Sequence, residues 1–196
     1  KQVYFVIGST YERELDDAVG AIQTYQQILE WDEADLSALR NLDHLYEHLE
    51  QWDDQKGVLE QQIELVEGGE ARLNLRFRLA RLYETQLEDL DAAMADYSSI
   101  LADTPDHEQT LQTVENLVRQ DREPEAALKV LEECLSPRDE WARLVTVWQD
   151  FLQVSMDLDA RTETRMKIAG AQDERLGDAH SAFLTYGEAV REDATH

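Results

Sequence analysis

Residues 11–29, YERELDDAVGAIQTYQQIL, return about 72 residues later as residues 83–101, YETQLEDLDAAMADYSSIL. Many of the matched positions lie three or four residues apart, which is the spacing of a buried stripe on an α-helix. The matched residues of the first copy are Tyr11, Leu15, Asp17, Ala21, Tyr25, Ile28 and Leu29. A helical stretch that recurs within one chain predicts an all-α fold built from a repeated unit.

A second internal match lies at an offset of about 89 residues. It carries Trp52, Arg72, Arg76, Ala80, Leu87, Asp89, Ala93 and Tyr97 onto Trp141, Arg161, Arg165, Ala169, Leu176, Asp178, Ala182 and Tyr186. The first offset is twice a period of roughly 34 to 36 residues, which is typical of stacked helical hairpins. Because the two offsets differ by about one helix and a turn, we expect an irregular junction near Ser136 and Pro137.

The apolar residues follow a helical period almost throughout, and no segment shows the sustained two-residue alternation of a half-buried strand. We therefore predict about eleven helices, with boundaries uncertain by a few residues. The predicted ranges are 2–14, 17–31, 35–50, 52–67, 70–87, 90–103, 107–120, 124–135, 139–156, 160–176 and 179–193.

The pattern within the hairpins resembles the tetratricopeptide repeat (TPR) family, as in bacterial multi-TPR arrays. The first helix of that motif has an aromatic residue, then Leu-Gly, then Tyr, and the second helix has Ala followed by an aromatic residue. The matching residues are Tyr4, Ile7, Gly8, Tyr11, Ala21, Tyr25 and Ile28, then Ala93, Tyr97, Ile100 and Pro105, and then Ala182, Tyr186 and Ala189. The second unit departs from the pattern, because Gln55 stands where the family has Ala.

The resemblance implies a right-handed superhelical solenoid of stacked antiparallel helix hairpins, forming a single domain over residues 1–196. The expected units are residues 1–33, 34–68, 69–105, 106–137 and 138–196, with the irregular junction at 136–137. Because the first residues already resemble the middle of an array, we expect the chain to be a fragment of a longer array.

The composition excludes several classes of partner. Lys and Arg total 18 against 43 Asp and Glu, which gives a formal net charge of −25. A surface this acidic repels nucleic-acid phosphates and anionic lipid headgroups, so we expect neither as a partner. The longest apolar run, residues 3–7, is far shorter than the roughly 20 residues of a membrane-spanning helix, so we expect a soluble protein, slightly favouring the cytoplasm. The single cysteine, Cys134, forms no intrachain disulfide and is expected in the core.

Residues 44–48, HLYEH, match the H-x-x-E-H pattern of zinc proteases with two helical histidines. The repeat places Asn116 and Gln120 at the positions equivalent to His44 and His48, so we interpret this segment as an ordinary helix of the array. A zinc hydrolase also needs a third protein ligand on another element. We therefore predict no metal, no cofactor and no catalytic residue, with an all-helical enzyme domain as a minor alternative.

In TPR arrays the first helix of each hairpin lines a concave groove, and the resemblance carries this role to eight residues. They are Arg40, His44, His48, Arg78, Arg81, Gln112, Asn116 and Gln120. The set contains no acid in a strongly acidic chain, which suggests recognition of a polar or acidic peptide through charge-assisted hydrogen bonds. The alternative is that Arg78 and Arg81 pair with neighbouring acids of the chain itself.

The resemblance implies a non-catalytic scaffold or adaptor that binds a protein or peptide. The main alternative is a structural spacer or self-assembly module, whose terminal hairpins make homotypic end-to-end contacts. An RNA-processing helical repeat is a further alternative, which the negative charge opposes.

Overall fold

The computed structural model describes residues 1–192, which form eleven α-helices. The helices are α1 Gln2–Arg13, α2 Ala18–Trp31, α3 Leu36–His48, α4 Trp52–Leu65, α5 Gly69–Thr85, α6 Leu90–Asp103, α7 Glu108–Arg119, α8 Pro124–Leu135, α9 Trp141–Val154, α10 Leu158–Gly170 and α11 Ala179–Glu192. They pair in sequence order as antiparallel hairpins. The all-α prediction is confirmed. The predicted helix boundaries agree within two residues except at the end of α10, which was predicted at residue 176 but lies at Gly170, where a π-helical turn follows. Residue 193, the predicted end of the last helix, lies outside the described residues.

Aspartate side chains begin several of these helices. Asp17 Oδ1 accepts a hydrogen bond from the Gly20 amide at 2.9 Å, and Asp157 does the same for Asp159 at 2.9 Å. Asp35 accepts from the amides of Ser37 and Ala38 at the start of α3. Each carboxylate satisfies an amide that has no partner within the helix and lies at the positive end of the helix dipole.

The first compact unit covers residues 1–96 and holds α1 to α5 with the start of α6. Each helix packs on the next along the chain from α1 to α5. The core between α2 and α3 contains Tyr25, Ile28 and Leu42, all nearly inaccessible to solvent. A smaller cluster joins α4 and α5 through Leu59, Leu79 and Leu82, and the partly buried Trp52, Ile63, Leu75, Tyr83 and Leu87 pack around it.

Glycine at position 8 allows the close approach of α1 and α2. A Cβ added to Gly8 would lie 2.7 Å from Cζ of the buried Tyr25 ring. The position therefore requires a residue without a side chain, as the TPR pattern of the sequence suggests. The small residue and the aromatic ring together set the distance between the two helices of the hairpin.

The second compact unit is described over residues 97–192. Within it α7 packs on α8, and α9 contacts both of them. A 3₁₀ turn, Ser136–Arg138, follows α8, and Asp139 then takes a left-handed backbone conformation with φ of 57°. A π-helical turn, Ala171–Arg175, follows α10 and contacts α9, α10 and α11.

The small and aromatic positions of the repeat are buried in its first two copies. Ala21, Tyr25, Ala93 and Tyr97 are at most 2% exposed, whereas Tyr186 of the last copy is 36% exposed. Cys134 is half-buried rather than part of the core, because it lies beside a surface cavity near Pro105. Burial raises the pKa of its thiol.

Candidate interaction surface

The eight residues predicted to line the groove all lie on or directly after the first helices of hairpins. Arg40, His44 and His48 lie on α3, and Arg78 and Arg81 lie on α5, all within the first unit. Gln112 and Asn116 lie on α7 and Gln120 follows its end, within the second unit. All are exposed to solvent except Arg81, which is half-buried.

Arg78 is held by an acid of its own chain. Its Nη1 donates to Asp43 Oδ2 at 2.7 Å and its Nη2 donates to Asp43 Oδ1 at 3.0 Å, so the contact is bidentate. Glu47 lies 3.6 Å from Nη2. Burial disfavours the charge of Arg78, but the hydrogen bonds and attraction from Asp43 outweigh it and raise the pKa of the guanidinium. This pair ties α3 to α5.

The carboxylate of Asp43 also explains why the second unit departs from the TPR pattern. Asp43 is only 5% exposed, and Gln55 on α4 donates to its Oδ1 at 3.0 Å. A buried carboxylate needs donors, and Ala at position 55 would supply none. The cluster of Asp43, Gln55, Gln62 and Arg78 was not predicted, although an acid within the apolar stripe of α3 and a Gln at a small-residue position are its signals in the sequence.

Arg81 is also paired, since its Nη1 donates to the buried Glu84 carboxylate at 2.8 Å. The structure therefore supports the alternative in which Arg78 and Arg81 each pair with an acid of the chain. Arg40 and His48 are different, because they are exposed and make no side-chain hydrogen bond or ion pair with residues 1–192. His44 lies 3.9 Å from Glu12, measured from its Nδ1 to Oε1.

Two surface depressions of the first unit lie between neighbouring first helices. The larger, about 570 Å³, opens between α1, α2 and α3. Its lining residues are Phe5, Val6, Ser9, Glu12, Arg13, Tyr25, Asn41 and His44. The smaller, about 230 Å³, lies between α3, α4 and α5. It presents Trp52 and Phe77 beside Arg78, Arg81 and Glu47, so apolar and charged side chains meet there.

In the second unit the predicted residues of α7 contact a group of charged side chains. Gln112 donates to Glu108 at 2.8 Å, and Asn116 accepts from Arg119 at 2.9 Å. Arg143 of α9 donates to both oxygens of Glu108 at 3.0 Å. These contacts hold the pKa of Glu108 below its usual value, since the hydrogen bonds from Arg143 and Gln112 favour the charged carboxylate.

The same ion-pair arrangement recurs in this unit, two helix pairs further along the chain. Glu115 is the repeat equivalent of Asp43, and it is also buried. Arg143 Nε donates to Glu115 Oε1 at 2.5 Å, as Arg78 donates to Asp43. A buried acid on one first helix therefore accepts from an arginine on a later helix in both units. For Arg78 the sequence analysis left open whether it binds a partner or a neighbouring acid of the chain, and it predicted no role for Arg143.

The histidines of the H-x-x-E-H segment lie on the exposed face of α3. Over residues 1–192, no three His, Cys, Asp or Glu side chains are grouped in a way that could hold a metal ion. The helices described over the same range include none with the length and hydrophobicity that a membrane crossing requires.

No family model matches the chain, and neither does any curated protein. Among solved structures, MamA is 15% identical with a TM-score of 0.44, over 98% of this chain and 91% of that one. BtubC from P. vanneervenii is 14% identical with a TM-score of 0.37, over 94% and 91%. The C-terminal part of a TPR repeat-containing protein from Cytophaga hutchinsonii is 10% identical with a TM-score of 0.44, over 96% and 79%.

The class of the protein follows from its own helices. It is an all-α chain of sequential antiparallel hairpins, with the small and aromatic residues of a TPR-like repeat at the helix contacts.

Proposed function

We propose that the protein is a non-catalytic scaffold that binds a protein or peptide partner along the first helices of its hairpins. The observation that carries the proposal is the placement of the eight predicted residues, each on or directly after a first helix and in contact with solvent. In an array of helical hairpins, each hairpin buries its apolar face against the next hairpin. The side chains that stay exposed form an extended surface for recognition. The depressions beside α3 supply concave sites for side chains of the partner.

The partner segment is proposed to be polar or acidic. Arg40 and His48 extend from α3 without partners among residues 1–192, and a carboxylate would give them charge-assisted hydrogen bonds. Arg78 and Arg81 contribute less to such binding, because each already donates to an acid of the chain. A ligand carboxylate would have to compete with Asp43 for Arg78.

The test is selection from a library of peptides with defined numbers of Glu, Asp, Lys and Arg. Wild type is expected to enrich acidic peptides, and Arg40→Glu combined with His48→Glu should weaken their binding about tenfold or more. The matched control is Lys129→Glu, which reverses an exposed charge on the second helix α8. Enrichment of basic peptides, or equal losses in the two variants, would contradict the proposal.

Binding that depends on charge should also depend on the salt concentration. Affinity for the acidic peptide should fall as salt rises, because screening shortens the Debye length from about 10 Å at 0.1 M to about 3 Å at 1 M. Titrations at several salt concentrations, with circular dichroism as a check on helicity, measure this dependence.

A further inference from the structure

Another depression of the first unit lies where two second helices end. It has a volume of about 410 Å³ and lies beside the last turns of α2 and α4 and the turn that follows α2. Its lining residues are Leu29, Glu33, Ala34, Gln61, Glu64 and Leu65. Apolar side chains and two carboxylates therefore meet in one concave site.

The electrostatics of this depression favour a cation. The C-terminal end of an α-helix carries a partial negative charge, and neither α2 nor α4 has a basic residue in its last turn. Glu33 and Glu64 are exposed and make no hydrogen bond or ion pair with residues 1–192. The neighbouring Asp32 and Asp35 differ, because both contact Lys1. Within residues 1–192, the two glutamates thus have no cation to balance them.

The second unit contains the equivalent depression, at the offset of about 72 residues. In the repeat, Leu29, Glu33, Gln61 and Leu65 correspond to Leu101, Pro105, Glu133 and Pro137. The latter four line a cavity of about 220 Å³. Both units therefore form a depression at the same place of the repeat.

An arginine of the chain lines the depression of the second unit. Arg138 is the repeat equivalent of Val66, and it lies in the 3₁₀ turn that follows α8. Its Nη1 donates to the carbonyl oxygen of Pro105, just after α6, and its Nη2 lies 2.7 Å from Glu140 Oε1. In the first unit α4 continues to Leu65 and valine follows, so the chain supplies no guanidinium from the equivalent position.

We propose that the depression beside the ends of α2 and α4 binds an arginine side chain of a partner protein. The guanidinium takes the place that Arg138 has in the second unit and contacts Glu33 and Glu64, while its methylene groups lie against Leu29 and Leu65. Arginine suits this site because its planar fork of donors binds carboxylate and carbonyl oxygens together. The depression lies away from the predicted residues of the first helices, so the inference goes beyond the proposed function.

Amide chemical shifts of the labelled protein, followed during titration with a short peptide, test the proposal. The peptide has one Arg between apolar residues and uncharged ends, and its counterpart has citrulline, which keeps the shape and removes the charge. The Arg peptide should shift the amides of Glu33, Ala34, Glu64 and Leu65 most, and should bind about fivefold more tightly than the citrulline peptide. Equal affinities, or largest shifts elsewhere, would overturn the proposal.

A third peptide, with Lys in place of Arg, tests the choice of cation. An ammonium group has no planar fork, so the Lys peptide is expected to bind more weakly than the Arg peptide. Equal affinity of the Lys and Arg peptides would overturn the assignment of the site to arginine.

Variants of the protein separate this depression from the acidic surface as a whole. Glu33→Gln combined with Glu64→Gln should weaken binding of the Arg peptide about fivefold. The matched control, Glu14→Gln combined with Glu125→Gln, removes the same charge from two exposed glutamates outside the depression and should bind as wild type does. Equal losses in the two double variants would show a general attraction to the acidic surface and would overturn the proposal.

This proposal and the proposed function can fail separately. Because it makes a single side-chain contact, the Arg peptide is expected to bind more weakly than the acidic peptides that selection enriches. Arg40→Glu combined with His48→Glu should bind the Arg peptide at least as tightly as wild type does, since the change adds negative charge. Weaker binding of the Arg peptide by that variant would place the peptide on α3 and would overturn the assignment to α2 and α4.

Discussion

Asp43 is a buried acid whose charge is balanced by Arg78 and hydrogen-bonded by Gln55. Removing one partner of a buried charge leaves the other without compensation, which costs more than the pair contributes. The side chain of Arg78 is 42% exposed, so water would partly replace it as a partner of Asp43 if it were removed. The ion pair is therefore expected to matter for stability and less for partner binding.

We expect Arg78→Met to lower the free energy of unfolding by about 2 kcal/mol, since the Asp43 carboxylate then keeps its amide donors but loses its cation. Urea denaturation followed by circular dichroism measures the change. Arg40→Met is the matched control on α3 and should change stability by less than about 0.5 kcal/mol, as surface substitutions do. Equal losses of stability in the two variants would show that the ion pair of Arg78 with Asp43 adds nothing beyond an ordinary surface side chain.

Asp96 on α6 is half-buried, and one of its carboxylate oxygens lacks a hydrogen bond. Its Oδ2 has no hydrogen-bond partner among residues 1–192. Burial raises the pKa of Asp96, Arg76 partly offsets the increase, and Glu60 adds to it. Because the pKa in the folded state is raised, the charged carboxylate destabilises the fold above that value, and this cost disappears as the pH falls below the unfolded value near 4.

Asp96→Asn should therefore increase stability at pH 7 by up to about 1 kcal/mol, because it removes a poorly solvated charge. The gain should shrink as the pH is lowered, because the raised pKa of the folded Asp96 carboxyl makes it take up its proton before an unfolded aspartate does. Urea denaturation at several pH values checks both statements. Glu64→Gln, at an exposed position of α4, is the control and should show no such trend. A loss of stability at pH 7 in Asp96→Asn would show that the charged carboxylate does not destabilise the fold.

At the scale of the element, two glycines in helix interiors have opposite surroundings. Gly8 of α1 meets the Tyr25 ring, whereas a Cβ at Gly57 of α4 would meet no atom within 4 Å. Alanine is favoured over glycine in a helix by about 1 kcal/mol, so the surroundings decide the sign of each substitution.

Gly57→Ala is expected to raise stability by about 0.5–1 kcal/mol through helix propensity alone. Gly8→Ala should lower it by about 1–2 kcal/mol, because the displacement of a buried ring outweighs the same gain. Thermal and urea denaturation of the two variants compare identical chemical changes at different sites. Stabilisation by both would show that α1 and α2 are not closely packed.

The helices themselves could be predicted from the sequence, because their apolar period and repeated Ala and Tyr positions are local signals. The resemblance assigned eight residues to a groove, and the structure places them on or directly after α3, α5 and α7; their role in binding stays a prediction. The partners of Arg78 and Arg143 could not be assigned, because ion pairs such as Arg78 with Asp43 join residues 35 apart in the chain and depend on how helices pack. Tyr186 shows a further difference, since it occupies the aromatic position of the motif but its side chain is 36% exposed.

At the scale of the whole molecule, the formal charge of −25 opposes the approach of an acidic peptide. Acidic peptide segments bind at α3 only if Arg40 and His48 attract them more than the remaining surface repels them. Because salt screens both the attraction and the repulsion, titrations at several salt concentrations show which of the two dominates.

The most direct test of the central claim is to map where a selected acidic peptide binds, by amide chemical shifts of the labelled protein during titration. Binding along the first helices predicts that the largest changes fall on α3 and α5, near Arg40 and His48 and around the depression beside Trp52. Largest changes on α2 and α4, with α3 and α5 unaffected, would contradict the claim that the first helices form the interaction surface.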